Sequence, residues 1–111
     1  MSLNISIRNP RTASHAISVG ASILSADFAC LKKALRKCES AGIDYIHLDV
    51  MDGCFVPNIS FGPVVIKAIR QNTKLPLDAH LMIDAPHRYI AEFIKSGADI
   101  ISIHSECYGT L

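Results

Sequence analysis

From residue 17 onward, short runs of β-branched and apolar residues alternate with stretches whose apolar side chains recur every three or four positions. A chain patterned this way buries itself most readily as parallel strands joined by helical crossovers, the βαβα arrangement. The strand-like runs are residues 17–23, 45–50, 77–82 and 100–104. After the first, Ser25-Ala26-Asp27 offers helix-starting side chains, Phe28, Leu31, Leu35 and Cys38 mark one helical face, and Gly42 supplies the stop. Pro63 is placed to open a second helix carrying Val65, Ile66 and Ile69, and Pro76 fences it from the third strand. Pro86 opens a third helix, with Tyr89, Ile90, Phe93 and Ile94 as its buried stripe and Gly97 as its end.

An internal echo strengthens the pattern. Ala41-Gly42-Ile43-Asp44-Tyr45-Ile46-His47-Leu48-Asp49 aligns with Ser96-Gly97-Ala98-Asp99-Ile100-Ile101-Ser102-Ile103-His104 as glycine, aspartate, then a strand, so strands two and four are equivalent units of a repeating βα architecture. Residues 1–16 are polar, contain Pro10 and have no burying period; they are expected to form a loosely ordered tail ahead of the unit 17–111. Parallel strands need cover on both faces, so four βα units are expected to form the first half of a (β/α)8 barrel, an α/β fold, with a small open α/β sheet as the alternative.

Composition excludes several classes of function. The 111 residues carry a formal net charge of +1 with no basic run interleaved with aromatics, so no nucleic-acid partner is expected. Apolar runs are far too short for a bilayer span, and the first residues lack the apolar core of a secretory signal, so neither a membrane segment nor a signal is expected. The four cysteines, Cys30, Cys38, Cys54 and Cys107, form no C-x-x-C pair, which fits reduced thiols in a cytoplasmic protein.

Chemistry concentrates in strands two and three. Side chains alternate along a strand, so His47 and Asp49 share one face of the second, and Asp78, His80 and Met82 share one face of the third. If both polar faces point the same way, His47, Asp49 and His80 converge. Two imidazoles and a carboxylate suit Zn, Fe, Mn or Co, with positions left for a substrate. A lone strand histidine is more often a core residue hydrogen-bonded to its neighbours. Two of them, at one parity with Asp49 and near C-terminal strand ends, turn the balance toward a ligand set for one divalent metal ion.

At these residues the chain resembles a known family. Ala21-Ser22-Ile23-Leu24-Ser25-Ala26-Asp27-Phe28, His47-Leu48-Asp49-Val50-Met51-Asp52-Gly53, Phe55-Val56-Pro57-Asn58, Phe61-Gly62-Pro63 and Asp78-Ala79-His80-Leu81-Met82 are similar, in order and spacing, to the signatures of ribulose-phosphate 3-epimerases. The resemblance implies that His47, Asp49 and His80 are metal ligands and that Asp49 is also one of two acid/base carboxylates. It implies further that Ser22, His80, Met51 and Met82 meet the substrate. Ala21 stands where the family commonly has Pro, and Cys54 where many members have His.

The implied reaction is the metal-dependent interconversion of D-ribulose 5-phosphate and D-xylulose 5-phosphate by proton transfer at C3, a pentose phosphate pathway step. A related ketose-phosphate 3-epimerase, such as one acting on allulose 6-phosphate, and a non-catalytic metal-binding half-barrel remain as alternatives. In the family the second acid/base Asp and the phosphate loops belong to the second half of the barrel, so this chain alone is expected to turn over weakly or not at all. Unpaired sheet edges lead to an expected homo-oligomer. Asp52 is expected to organise its loop, Asp78 and Asp84 receive no role, and His104 is expected beside the cavity in support of the ligands. His15 and His87 are expected at the surface.

Overall fold

A computed structural model describes residues 17–108. The expectation of a loosely ordered tail, and the surface placement of His15, lie outside the described residues. Four strands, β1 (Gly20–Ser22), β2 (Tyr45–Met51), β3 (Leu77–Met82) and β4 (Ile100–Ile103), form one parallel sheet in the order β1-β2-β3-β4. Between them run α1 (Leu31–Ser40), α2 (Pro63–Arg70) and α3 (Ile90–Ser96). The βα alternation read from the sequence is therefore present, with each strand beside its sequence neighbour.

The helices cover one face of the sheet. Ile46, Leu48 and Val50 of β2 and Leu77, Ala79 and Leu81 of β3 join Leu35 of α1, Ile66 and Ile69 of α2 and Phe93 of α3 in a single buried cluster. Period-two alternation along the strands meets a three-to-four spacing on the helices, so one apolar layer serves both. The opposite residues of β2 and β3 are half-buried, giving the sheet an open polar face.

The internal echo has a structural cause. Gly42 and Gly97 end their helices with φ of 78° and 118°, a left-handed turn that a Cβ would strain. Two residues later the chain exchanges bonds with the preceding strand: Asp44 donates its N–H to the Val19 carbonyl at 2.9 Å and its carboxylate accepts the Val19 N–H at 2.8 Å. Asp99 repeats this on Leu77, donating at 2.8 Å and accepting at 2.8 Å. The repeated aspartate thus fastens each incoming strand to its neighbour. Arg70 reinforces the second fastening, bonding Asp99 at 2.9 Å and the carbonyls of Thr73 and Leu75 at 2.7 and 2.8 Å.

Several boundaries differ from the sequence reading. Asp27 does cap a helical turn, its carboxylate accepting the Ala29 N–H at 2.9 Å, but that turn is a 3-10 segment, Phe28–Cys30, ahead of α1. Phe28 is consequently exposed and packs edge-on against Phe61 instead of joining the α1 stripe. Pro86 likewise opens a 3-10 turn, Pro86–Arg88, before α3. In α3 only Phe93 is fully buried; Tyr89 and Ile94 are 46% and 50% exposed, because the sheet beneath that helix ends at β4.

Candidate metal centre

The site stands on the open face, at the C-terminal ends of β2 and β3. In the parallel register His47 lies beside Ser22 on one side and Asp78 on the other, Asp49 beside His80, Met51 beside Met82, and His80 beside Ser102. Residues paired in register project to the same side, so the polar parity read from each strand becomes one continuous surface. Ser22, His47, Asp49, Met51, His80 and Met82 are all on it.

Asp49 is the hub. Its Oδ1 lies 3.1 Å from His47 Nε2 and 3.2 Å from His80 Nδ1, and its Oδ2 accepts the Ser22 hydroxyl at 2.5 Å. One ligand atom from each of His47, Asp49 and His80 falls within 4.8 Å of the others. Two metal–donor bonds of about 2.1 Å at tetrahedral or octahedral angles separate their donors by about 3.0–3.4 Å. The His–Asp spacings therefore match a common cation, and the donor set of two imidazoles and one carboxylate suits a divalent transition metal or zinc.

The rings are held from behind. His47 Nδ1 faces Asp78 Oδ2 at 2.8 Å, a contact that favours a proton on Nδ1 and turns Nε2 toward Asp49. Asp78 is thus a supporting residue that sequence reasoning left without a role. Its parity with His80 was visible, but its position beside His47 is a matter of register. His80 turns its other nitrogen, Nε2, to His104 Nε2 at 2.7 Å, so His104, the residue after β4, stands beside this cluster.

Electrostatics at Asp49 reflect competing effects. Burial pushes its carboxyl up, but the Ser22 hydrogen bond, the His47 charge, and the hydrogen bond and charge of His80 outweigh this and hold it below the ordinary carboxylate value. Ser22 also accepts the Leu24 N–H at 3.2 Å, capping the 3-10 turn Ile23–Ser25, so its hydroxyl is fixed from two directions.

The loop after β2 is tied down around this centre. The Ser60 hydroxyl donates to the Asp49 carbonyl at 2.6 Å and accepts the Met51 N–H at 3.0 Å, closing the loop back onto the strand. Asp52 accepts the Cys54 and Phe55 N–H groups at 2.9 Å each and reaches across to the Asp84 N–H at 2.7 Å. Chiefly the Asp84 bond, with those of Cys54 and Phe55, holds Asp52 below its ordinary value. Asp52 therefore organises more than its own loop: it joins the loops after β2 and β3. Ser60 and its role went unnoticed in the sequence, since nothing local distinguishes it from any loop serine. Cys54 is exposed, His87 is exposed, and all four cysteines are unpaired.

Comparison with known proteins converges on one family. The ribulose-phosphate 3 epimerase family matches residues 18–111. Ribulose-phosphate 3-epimerase of Bacillus subtilis is 58% identical over 90 residues, 81% of this chain and 42% of that protein. The chloroplastic ribulose-5-phosphate-3-epimerase of Arabidopsis thaliana is 52% identical over 106 residues, 96% of this chain and 38% of its own length. The chain thus spans about two fifths of the length of these curated relatives. Among solved structures, the carboxyl transferase domain of Rhizobium etli pyruvate carboxylase aligns with a TM-score of 0.53 at 20% identity, over 81% of this chain and 17% of that one, a likeness of fold alone. The match over nearly all of the described residues, and the identity to several epimerases at about half of the aligned positions, establish that this chain belongs to the ribulose-phosphate 3-epimerase family.

Proposed function

We propose that the centre around Asp49 is the metal-binding and proton-removing part of a ribulose-phosphate 3-epimerase, acting at C3 between D-ribulose 5-phosphate and D-xylulose 5-phosphate. The observation that carries this reading is the convergence of His47, Asp49 and His80 at metal-ligand spacing on the open face, in a chain of this family. When bound, a divalent ion supplies Lewis acidity toward the carbonyl next to the reacting carbon. Asp49, kept ionised by its partners, is the base that takes the C3 proton. Ser22, anchored by Leu24 and Asp49, orients the substrate, while Met51 and Met82, side by side at the strand ends, wall the pocket.

Ser22 is a binding group here and not a nucleophile. Its hydroxyl donates to Asp49, the group this reading uses as the base at C3, and accepts the Leu24 N–H, so it is held as a hydrogen-bonding group.

The fold goes with this reading as the first half of a (β/α)8 barrel. It is supported by helices on a single face, by strands in sequential order, and by apolar residues left bare at both sheet edges: Val19 at 55% and Ile103 at 42% exposure. Such edges also support association of like chains. The unpaired cysteines go with a cytoplasmic setting.

One observation favours a limit on catalysis by this chain alone. All ten acidic residues lie among the described residues, and only Asp49 and Asp78 stand on the polar face of β2 and β3. Asp78 is committed to His47, and Ser102 lies within 3.5 Å of its other oxygen. A single base returns the proton to the face it came from, so the chain is expected to exchange the C3 proton of ribulose 5-phosphate for deuterium with little xylulose 5-phosphate formed. NMR of the sugar in heavy water with added Zn, Mn, Co or Fe tests this. Metal uptake with no exchange at C3 would instead establish the non-catalytic half-barrel, and faster exchange of allulose 6-phosphate would reassign the substrate.

A further inference from the structure

His104 lies just past β4, outside the ligand set, and the side chains of His80, Phe55 and Glu106 face its ring. Its Nε2 is 2.7 Å from His80 Nε2, and the two rings lie nearly parallel, 23° apart with centroids at 4.9 Å. Phe55, from the loop after β2, packs on the same imidazole with a centroid distance of 5.1 Å. On the far side His104 Nδ1 lies 3.6 Å from Glu106 Oε2. Three elements, β3, the loop after β2 and the 3-10 turn Ser105–Tyr108, thus converge on one side chain.

Two imidazole nitrogens at 2.7 Å can share only a single proton: two would clash, and none would set two lone pairs against each other. A histidine that binds a cation through Nδ1 must leave that nitrogen unprotonated, so its proton sits on Nε2. For His80 this makes Nε2–H the donor and His104 Nε2 the acceptor. The proton of His104 then occupies Nδ1, the nitrogen that faces the Glu106 carboxylate. The contact between His80 and His104 thereby has one direction when a cation is held at His80 Nδ1.

We infer that His104 is a positioning residue that fixes the tautomer and ring orientation of His80, leaving Nδ1 directed at the metal. It parallels what Asp78 does for His47, with an imidazole in place of a carboxylate. This inference rests on the metal reading of His47, Asp49 and His80.

The test compares the protein with its His104→Phe and His104→Gln variants. Phenylalanine keeps a ring against Phe55 but removes the acceptor; glutamine returns a carbonyl oxygen near the place of Nε2. Zinc affinity is measured by competition with a chelating indicator, and the His80 tautomer by nitrogen-15 NMR of labelled imidazoles in the zinc-loaded protein, with circular dichroism to confirm folding. His104→Phe is expected to weaken zinc binding by about 10–100-fold, the usual effect of losing such a partner. His104→Gln is expected to recover most of the affinity and to retain the Nε2–H form of His80. Zinc binding by His104→Phe within twofold of the parent, or equal loss in both variants, would overturn the inference while leaving the metal site intact. Absence of zinc binding by the parent would overturn the site and the inference together.

Discussion

The two faces of β2 and β3 come from the same short strands and could hardly differ more. On the helix-covered face Ile46, Leu48, Leu77, Ala79 and Leu81 are fully buried at 0% exposure. On the other, His47 and His80 keep 28% and 26% of their side-chain surface, and their ring nitrogens face Asp49, Asp78 and His104. Alternate residues thus answer to different physics: close packing on one side, hydrogen-bond satisfaction and charge on the other. The two sets are separable: burial holds the fold together on one face, and the groups that could hold a metal stand on the other.

Substitution on the covered face is the strongest way to break that separation. Leu48→Ala is expected to cost about 2–5 kcal/mol through lost burial and a cavity. Urea denaturation would show it as a lower midpoint, while zinc affinity of the folded protein stays unchanged. A large loss of zinc affinity would show that the two faces are coupled.

The converse substitution is the double variant His47→Ala, His80→Ala, which should lose metal uptake altogether. Its cost in folding is expected near 0.5–1.5 kcal/mol for each hydrogen bond removed. Metal analysis after dialysis against a divalent ion checks the first part, and undiminished stoichiometry would defeat the ligand assignment.

Asp49→Asn sharpens the comparison further, because it keeps the shape of the hub and removes its basicity. Folding should change by less than about 1 kcal/mol, whereas exchange of the C3 proton with solvent, followed by deuterium NMR, should vanish. Exchange at the parental rate would show that another group is the base.

The smallest expected effect separates the loops from the sheet. Asp52 is held below its ordinary value mainly by the Asp84 N–H. Its stabilising contribution is therefore present above the unfolded carboxylate value of about 3.9 and is lost as pH falls through the lower folded one. Thermal melts between neutral and acid pH should show a shallower acid decline for Asp52→Asn than for the parent. Identical slopes would mean that the bridge between the loops after β2 and β3 carries no pH-dependent stability.

Much of this organisation was legible in the sequence, though unevenly. The third strand was read to the residue, and the second fell short only by Met51. The outer strands shrank from 17–23 to Gly20–Ser22 and from 100–104 to Ile100–Ile103, since among the described residues each has a pairing partner on one side only. The stripes of α1 and α3 were drawn too wide for a related reason. Helical periodicity shows which residues share a face but not whether sheet lies beneath all of it, so Phe28, Tyr89 and Ile94 remain exposed.

Local alternation by itself determined that His47 and Asp49 share a face, that Asp78, His80 and Met82 share another, and that glycine and aspartate recur before β2 and β4. Those statements follow from the two-residue period of a strand and the left-handed turn of a glycine, which neighbouring residues suffice to set. Only the tertiary structure decided that Asp49 stands beside His80 and Asp78 beside His47, that Ser22 reaches Asp49, and that His104 meets His80. These contacts join residues 24–31 positions apart. The register between parallel strands is fixed by the packing of the crossover helices and the aspartate fastenings between strands, and no stretch of sequence within a strand contains it.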